Sequence, residues 1–287
     1  MVGAIARGVC PMTEAEHRLL HADEPPAVSV ARRHGVSPLF LTCDHASNRI
    51  PRRLDSLGLE APALRSHIAW DIGAAGVARG LSERLDATLV VQNYSRLVID
   101  SNRRPEAPDS IPSVSENTEI PGNRNLHPAQ ARARVDEILA PYHHGITRHL
   151  DARRRLRRAS VLVAVHSFTP VYDGSARPWH LGVLYNRDPR LPHILLDLLG
   201  SEDRLVVGDN QPYRVGDLTD YTIPAHGEGR GIAHVELEIR QDLIATEAGQ
   251  AAWADRLADL LVRALERLRA AHPAALRSEA KPQGFSL

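Results

Sequence analysis

Short apolar runs that stop abruptly at polar residues recur along this chain. Residues 38–43 end at Asp44-His-Ala-Ser-Asn48, residues 160–165 at His166-Ser-Phe-Thr-Pro170, residues 180–185 at Asn186-Arg187, and residues 205–207 at Gly208-Asp209-Asn210. Residues 88–92 and 96–100 have the same character, the second running into Ser101-Asn102-Arg103, and residues 232–239 close the series at Arg240. Runs of this length, bounded by polar clusters, predict buried strands that feed loops. Between them the period lengthens. Val77, Leu81 and Leu85 stand one helical turn apart in a helix predicted over 74–85. Residues 128–155 predict a long polar-faced helix, kinked or broken near Pro141 because proline removes a backbone donor. A short helix over 194–199 and a closing helix over 246–271, striped by Trp253, Leu257, Leu260, Leu261, Ala264 and Leu268, complete the pattern.

Strands alternating with helices predict an α/β domain of three layers, αβα, around a mostly parallel sheet. The domain is expected over residues 37–271, with a peripheral segment before it (1–36) and a frayed tail after it (272–287). Residues 104–126 lack periodicity and are rich in proline, serine and asparagine; a loop that long inside a compact domain is usually functional or mobile. Composition narrows the function class. Lys+Arg and Asp+Glu balance at 35 each, so no net field favours nucleic acid or an anionic membrane. No apolar stretch approaches the roughly 20 residues of a membrane helix, and the start lacks the apolar core of a secretory signal. Two cysteines, Cys10 and Cys43, make a disulfide framework unlikely and suit a reducing compartment. A cytoplasmic protein is expected.

In an open α/β sheet, ligands bind beyond the carboxyl ends of the strands, and here those ends carry chemistry. His45 and His166 each follow an apolar run. Either alone reads as a hydrogen-bonded structural histidine, but two at corresponding strand ends suit a zinc site with ligands from distant segments. Asp44, Asn48 and Asp71 are candidates to complete or orient it. Asp44 can hold an imidazole from behind, whereas Asp71, just before the helix at Ala74, reads equally as an N-cap. Arg96, Asn102 and Arg103 can clamp a carboxylate and polarise a carbonyl, or the arginines can form surface ion pairs. Glu236 and Glu238 share one strand face. If that strand is buried they need partners or a polar cavity; otherwise it is an edge strand facing water. His226, Glu228 and Arg230 alternate with glycines in a loop that lacks a phosphate-binding pattern and reads as a substrate loop or a plain turn.

Four segments taken together are distinctive. Cys43-Asp-His-Ala-Ser-Asn-Arg-Ile-Pro51, Tyr94-Ser-Arg-Leu-Val-Ile-Asp-Ser-Asn-Arg103, His166-Ser-Phe-Thr-Pro170 and His234-Val-Glu-Leu-Glu-Ile-Arg-Gln-Asp242 resemble the N-formylglutamate amidohydrolase family. Asp100-Ser-Asn-Arg103, His166-Ser-Phe and Glu238-Ile-Arg240 are similar, more distantly, to elements of zinc carboxypeptidases and acylamino-acid deacylases. The resemblance implies a zinc-exopeptidase-like (phosphorylase/hydrolase-like) fold and one zinc ion. It also implies substrate gripped by Asn102 and Arg103, His166 as a zinc ligand and Glu238 as general base. Carboxypeptidases carry a glutamate ligand three residues after the first histidine; here that place holds Asn48, and Asp71 is the expected substitute beside His45 and His166.

The implied reaction is hydrolysis of N-formylglutamate to glutamate and formate, in the setting of histidine degradation. Zinc would acidify a water and polarise the carbonyl, and Glu238 would move the proton to the leaving amine. Arg103 or Arg96 would stabilise the oxyanion or hold a carboxylate, with His226 and Arg230 as further substrate contacts. The only expected partner is a small acidic N-acyl amino acid, with neither nucleic acid nor membrane. Two other readings stay open: a deacylase or carboxypeptidase acting on another acidic N-acyl compound, and a non-catalytic module that binds acidic metabolites without a metal.

Overall fold

A computed structural model describes residues 18–276 apart from 201 and 203, so Cys10 and the final segment lie outside the described residues. Seven strands form the main sheet: β1 (Val28–Ala31), β2 (Leu39–Cys43), β3 (Thr88–Gln92), β4 (Val161–Phe168), β5 (Leu181–Leu184), β6 (Val207–Asp209) and β7 (His234–Arg240). Their spatial order is β1-β3-β2-β4-β7-β5-β6. The central four, β3, β2, β4 and β7, run parallel. At one edge β1 is antiparallel to β3; at the other β5 is antiparallel to β7, with β6 parallel to β5.

The strand period of two divides the core. Leu39, Leu41, Val161, Val163, Val165, Val235, Leu237 and Ile239 pack on one face against helices α1 (Ala74–Leu85), α4 (Arg190–Leu199) and α5 (Glu247–Ala271). Phe40, Leu162 and Ala164 point the other way, against Tyr142, Ile146 and Leu150. Those three belong to α3 (Ala140–Arg155), which follows α2 (Pro128–Arg134). Each such side chain contributes about 1.5–3 kcal/mol by leaving water, and the three-layer α/β arrangement follows. α5 begins as the sequence leads one to expect, with the Thr246 hydroxyl accepting from Gly249 N–H.

One expectation is corrected, and three segments gain detail. Residues 96–100 are not a strand but a turn: Ser95 accepts Leu97 N–H through its hydroxyl and Val98 N–H through its carbonyl. That sends Leu97 and Ile99 into different small clusters instead of one sheet face. The irregularity in residues 128–155 is a π-helical stretch, Val135–Leu139, one turn before Pro141. The looser turn absorbs a proline ring that would otherwise strike the carbonyl four residues earlier. The segment expected to be peripheral supplies edge strand β1, with Leu19 and Ala27 buried. The expected frayed tail begins as a short 3-10 turn, Pro273–Leu276, with Ala275 buried. Among the described residues no helix is long and apolar enough to cross a membrane.

Candidate active site

On the α3-facing side of the sheet the apolar register ends part-way along the parallel strands. Beyond Ala164 on β4 comes His166, and on β7 Glu236 and Glu238 occupy the same face; Glu238 and His166 are direct partners in the parallel register. The edge-strand alternative for the two glutamates therefore fails, because β7 lies between β4 and β5 and both side chains are buried. The carboxyl ends of these strands open into a cavity of about 530 Å³. His45, Asp71, His166, Glu236 and Glu238 line it together with Arg96, Asn102 and Arg103. The long loop 104–126 supplies part of its wall through Asp109, Pro112, Val114, Ser115 and Glu116.

His45 arrives at the end of β2 and Asp71 in the turn before α1. Gly73 makes that turn possible: its φ of 82° is left-handed, and a Cβ there would collide with the Ile244 carbonyl oxygen. The Asp71 side chain does not cap α1, whose N-cap is Gly73. Instead Asp71 Oδ2 lies 2.8 Å from His166 Nδ1 and 3.4 Å from His45 Nδ1. One ligand atom from each of these three residues lies within 4.8 Å of the others.

The far nitrogens are held from behind. His45 Nε2 is 2.8 Å from Asp100 Oδ1, and His166 Nε2 is 3.0 Å from Asp44 Oδ2. Asp100 is in turn fixed by Arg96 (2.6 and 3.1 Å) and by Asn102 N–H. Asp44 accepts from Tyr142 Oη at 2.5 Å and Thr222 Oγ1 at 2.8 Å.

This cage fits a divalent cation. His45 Nδ1 is buried without a hydrogen-bond partner, and carboxylates on the outer nitrogens are what orient metal-binding imidazoles. The charge balance agrees. Burial works against protonating His166, yet Glu236, Asp44 and Asp71 outweigh it and raise its pKa well above the usual histidine value. Burial and Arg96 likewise oppose a charge on His45, and Asp100 and Asp71 still raise its pKa. Surroundings that hold a proton this firmly equally favour a cation between the rings. Burial would raise Asp44 and Asp71, but His166 brings Asp44 down to about 2, and His45 and His166 lower Asp71.

The glutamates behave oppositely. Burial pushes Glu238 up to about 8 and Glu236 well above the carboxylate range, despite His166 nearby. One carboxylate oxygen of each is buried without a hydrogen-bond partner. A buried, half-satisfied carboxyl beside a donor cage is suited to taking and giving a proton.

Of the arginines, Arg96 is committed to Asp100, and its Nη1 lies 3.7 Å from Asp71. Arg103 donates from Nε to Asp109 and from Nη1 to the carbonyls of Asn102 and Thr219. Asn102 donates to Asp220 Oδ1 and accepts from Tyr221 and Thr222 N–H. His226 and Arg230, expected as substrate contacts, are not on the cavity. The glycine-spaced segment begins inside a π-helical turn, Ile223–Glu228, and ends in a hydrogen-bonded turn through Gly231 rather than an open loop. His226 Nε2, inside that turn, meets His143 Nδ1 at 2.9 Å, and Arg230, just beyond it, pairs with Asp151 at 2.5 Å. Both pack beside α3, away from the residues that line the cavity. Sequence reasoning missed the supports of the cage: Asp100 behind His45, and Tyr142 and Thr222 behind Asp44. Asp100 stood within a conspicuous motif; nothing local distinguishes the other two.

A donor cage at the carboxyl edge of a mostly parallel sheet, with orphaned carboxyls over it, is the arrangement of a hydrolytic enzyme. The chain belongs to the N-formylglutamate amidohydrolase family, whose model matches residues 37–245. The crystal structure of a gene product from Agrobacterium tumefaciens is 41% identical with a TM-score of 0.85, covering 88% of this chain and 100% of that one. An N-formylglutamate amidohydrolase from Ralstonia eutropha JMP134 shares the fold at 18% identity and a TM-score of 0.59, over 86% of this chain and 99% of its own. Among curated proteins, the sensor protein CseC of Streptomyces coelicolor is 29% identical over 162 residues, 55% of this chain. The matched region spans only 29% of that protein's length.

Proposed function

We propose that this protein hydrolyses the amide bond of an N-formyl or N-acyl acidic amino acid, with N-formylglutamate as the leading substrate. The observation that carries the reading is the convergence, on one cavity, of the His45–Asp71–His166 cage and the unsatisfied carboxyl of Glu238. His45 Nδ1, Asp71 Oδ2 and His166 Nδ1 would hold one zinc ion. Bound there, zinc would supply Lewis-acid polarisation and water activation.

The chain's own residues do the rest. Asp100 and Asp44 fix the tautomers, keeping the proton on each outer Nε2 and the lone pair on Nδ1. Glu238 takes a proton from water and returns it to the departing amine nitrogen, the order that amide hydrolysis requires. Arg103, with Nη2 uncommitted, polarises the acyl carbonyl or holds the α-carboxylate, and Asn102 orients that end of the substrate. Arg96 acts through Asp100 rather than on substrate. The test is a panel of N-acyl amino acids offered to zinc-loaded protein, with amine release as the readout. N-formylglutamate should be cleaved fastest and neutral N-acyl amino acids poorly; no amine release from any member by folded, zinc-loaded protein overturns the reading.

A further inference from the structure

The cationic side chains of the cavity are not equally available. Arg96 and Arg103 are tied to Asp100 and Asp109. Arg214 lines the same cavity, yet among the described residues it forms no hydrogen bond or ion pair. It stands where this cavity borders a second one, which it shares with Tyr185 and Asp209.

Arg214 is also presented by a fixed segment. The Gln211 carbonyl lies directly on Gly182 of β5 and Gly208 of β6, where any Cβ would strike it. Gly182 in turn faces Glu238 on β7, so two glycines let the segment lie down beside that glutamate. The next residue but one is clamped: the Arg177 guanidinium sits 4.7 Å from the Tyr213 ring and 4.5 Å from the Tyr172 ring. Arg177 Nη1 also donates to Tyr213 Oη at 2.7 Å. On the far side Val215 is buried in the α3-facing core. An exposed rim arginine whose backbone is held between two anchored neighbours, and whose guanidinium has no ion pair among the described residues, is available for a ligand's negative charge.

We infer that Arg214 grips the distal, side-chain carboxylate of the substrate and so sets the preference for an acidic amino acid. This rests on the hydrolytic reading above and adds to it the side of the cavity that recognises acidity. The α-carboxylate and the acyl group then lie towards Asn102, Arg103 and Glu238, and the side chain extends along the Tyr213 segment to the rim.

The experiment compares wild type with Arg214→Gln and Arg214→Lys, all zinc-loaded, on N-formylglutamate and N-formylglutamine. Arg214→Gln should reduce the glutamate-over-glutamine ratio of kcat/KM by about tenfold to a hundredfold, the range for losing a charge-assisted bond. The loss should fall on KM, with kcat changed far less. Arg214→Lys should restore part of the ratio, because the charge returns without the fork. An unchanged ratio in Arg214→Gln overturns the inference, even where Glu238→Gln abolishes turnover and the hydrolytic reading stands. A second arm needs no turnover: N-formylglutamate binding to Glu238→Gln is compared calorimetrically with binding to the Glu238→Gln, Arg214→Gln double variant. Weaker binding in the double variant supports the grip whatever the fate of the hydrolytic reading, and equal binding removes it.

Discussion

His45 and Asp100 are joined Nε2 to Oδ1 at 2.8 Å across 55 residues of sequence, and the same carboxylate is clasped on its other oxygen by Arg96. The aspartate thus passes the rigidity of a salt bridge to an imidazole whose Nδ1 faces the cage. Replacing Asp100 by Ala should weaken zinc affinity by about tenfold to a hundredfold, the usual effect of removing a carboxylate behind a metal-binding histidine. Competitive chelator titration measures this. Wild-type affinity in Asp100→Ala would show that packing alone orients His45.

Asp71 faces both imidazoles and leaves the α1 terminus to Gly73. Asp71→Ala should therefore strip metal from the protein, whereas removal of a mere helix cap would cost about 0.5–2 kcal/mol and leave metal content unchanged. Elemental analysis and denaturant unfolding of the metal-free proteins separate the two effects. Retained zinc together with a stability loss of that size would restore the capping role and remove Asp71 from the cage.

Glu238 and Glu236 are two residues apart on one strand face, each with a buried oxygen that lacks a partner. Glu238→Gln keeps the shape but cannot take a proton, so kcat should fall by roughly 10²–10⁴ while zinc content and KM change little. Glu236→Gln is the control. Steady-state kinetics of the pair decide the assignment: if Glu236→Gln is the inactive one, the base is Glu236.

The His143–His226 pair predicts an acid limb of stability. His143 Nε2 lies 2.8 Å from the Ser101 carbonyl and must donate to it, so its Nδ1 accepts from His226 Nε2. Protonating His143 would set N–H against N–H. Burial lowers its pKa to about 4. The folded value lies below the unfolded one, near 6.5, so the unfolded chain takes the proton first. The contribution is complete above pH ~6.5 and is lost as pH falls towards 4, about 3 kcal/mol in all. The imidazole should stay neutral in an NMR titration down to about pH 4, and the stability gap to His143→Leu should narrow over the same window. A ring titrating near 6.5 contradicts this.

Local chemistry in the sequence determined much of this protein. The buried central strands, α1 and α5 follow from periodicities of two and 3.6, which depend only on which face of a segment avoids water. The end of β2 announced His45, a polar residue in the loop after an apolar run, whereas His166 also follows an apolar run but stays within β4, opposite Glu238. Other features had no local signature. Residues 96–100 are as apolar as a strand, and only a hydroxyl at Ser95 and two separate pockets make them a turn. His226 and Arg230 sit among glycines like a substrate loop, but α3 packs over them, and contact between segments some 80 residues apart is invisible to any window. The same holds for charge. Arg96, Arg103 and Arg214 are identical side chains in sequence, and tertiary structure alone ties Arg96 to Asp100, part of Arg103 to Asp109, and leaves Arg214 without an ion pair among the described residues.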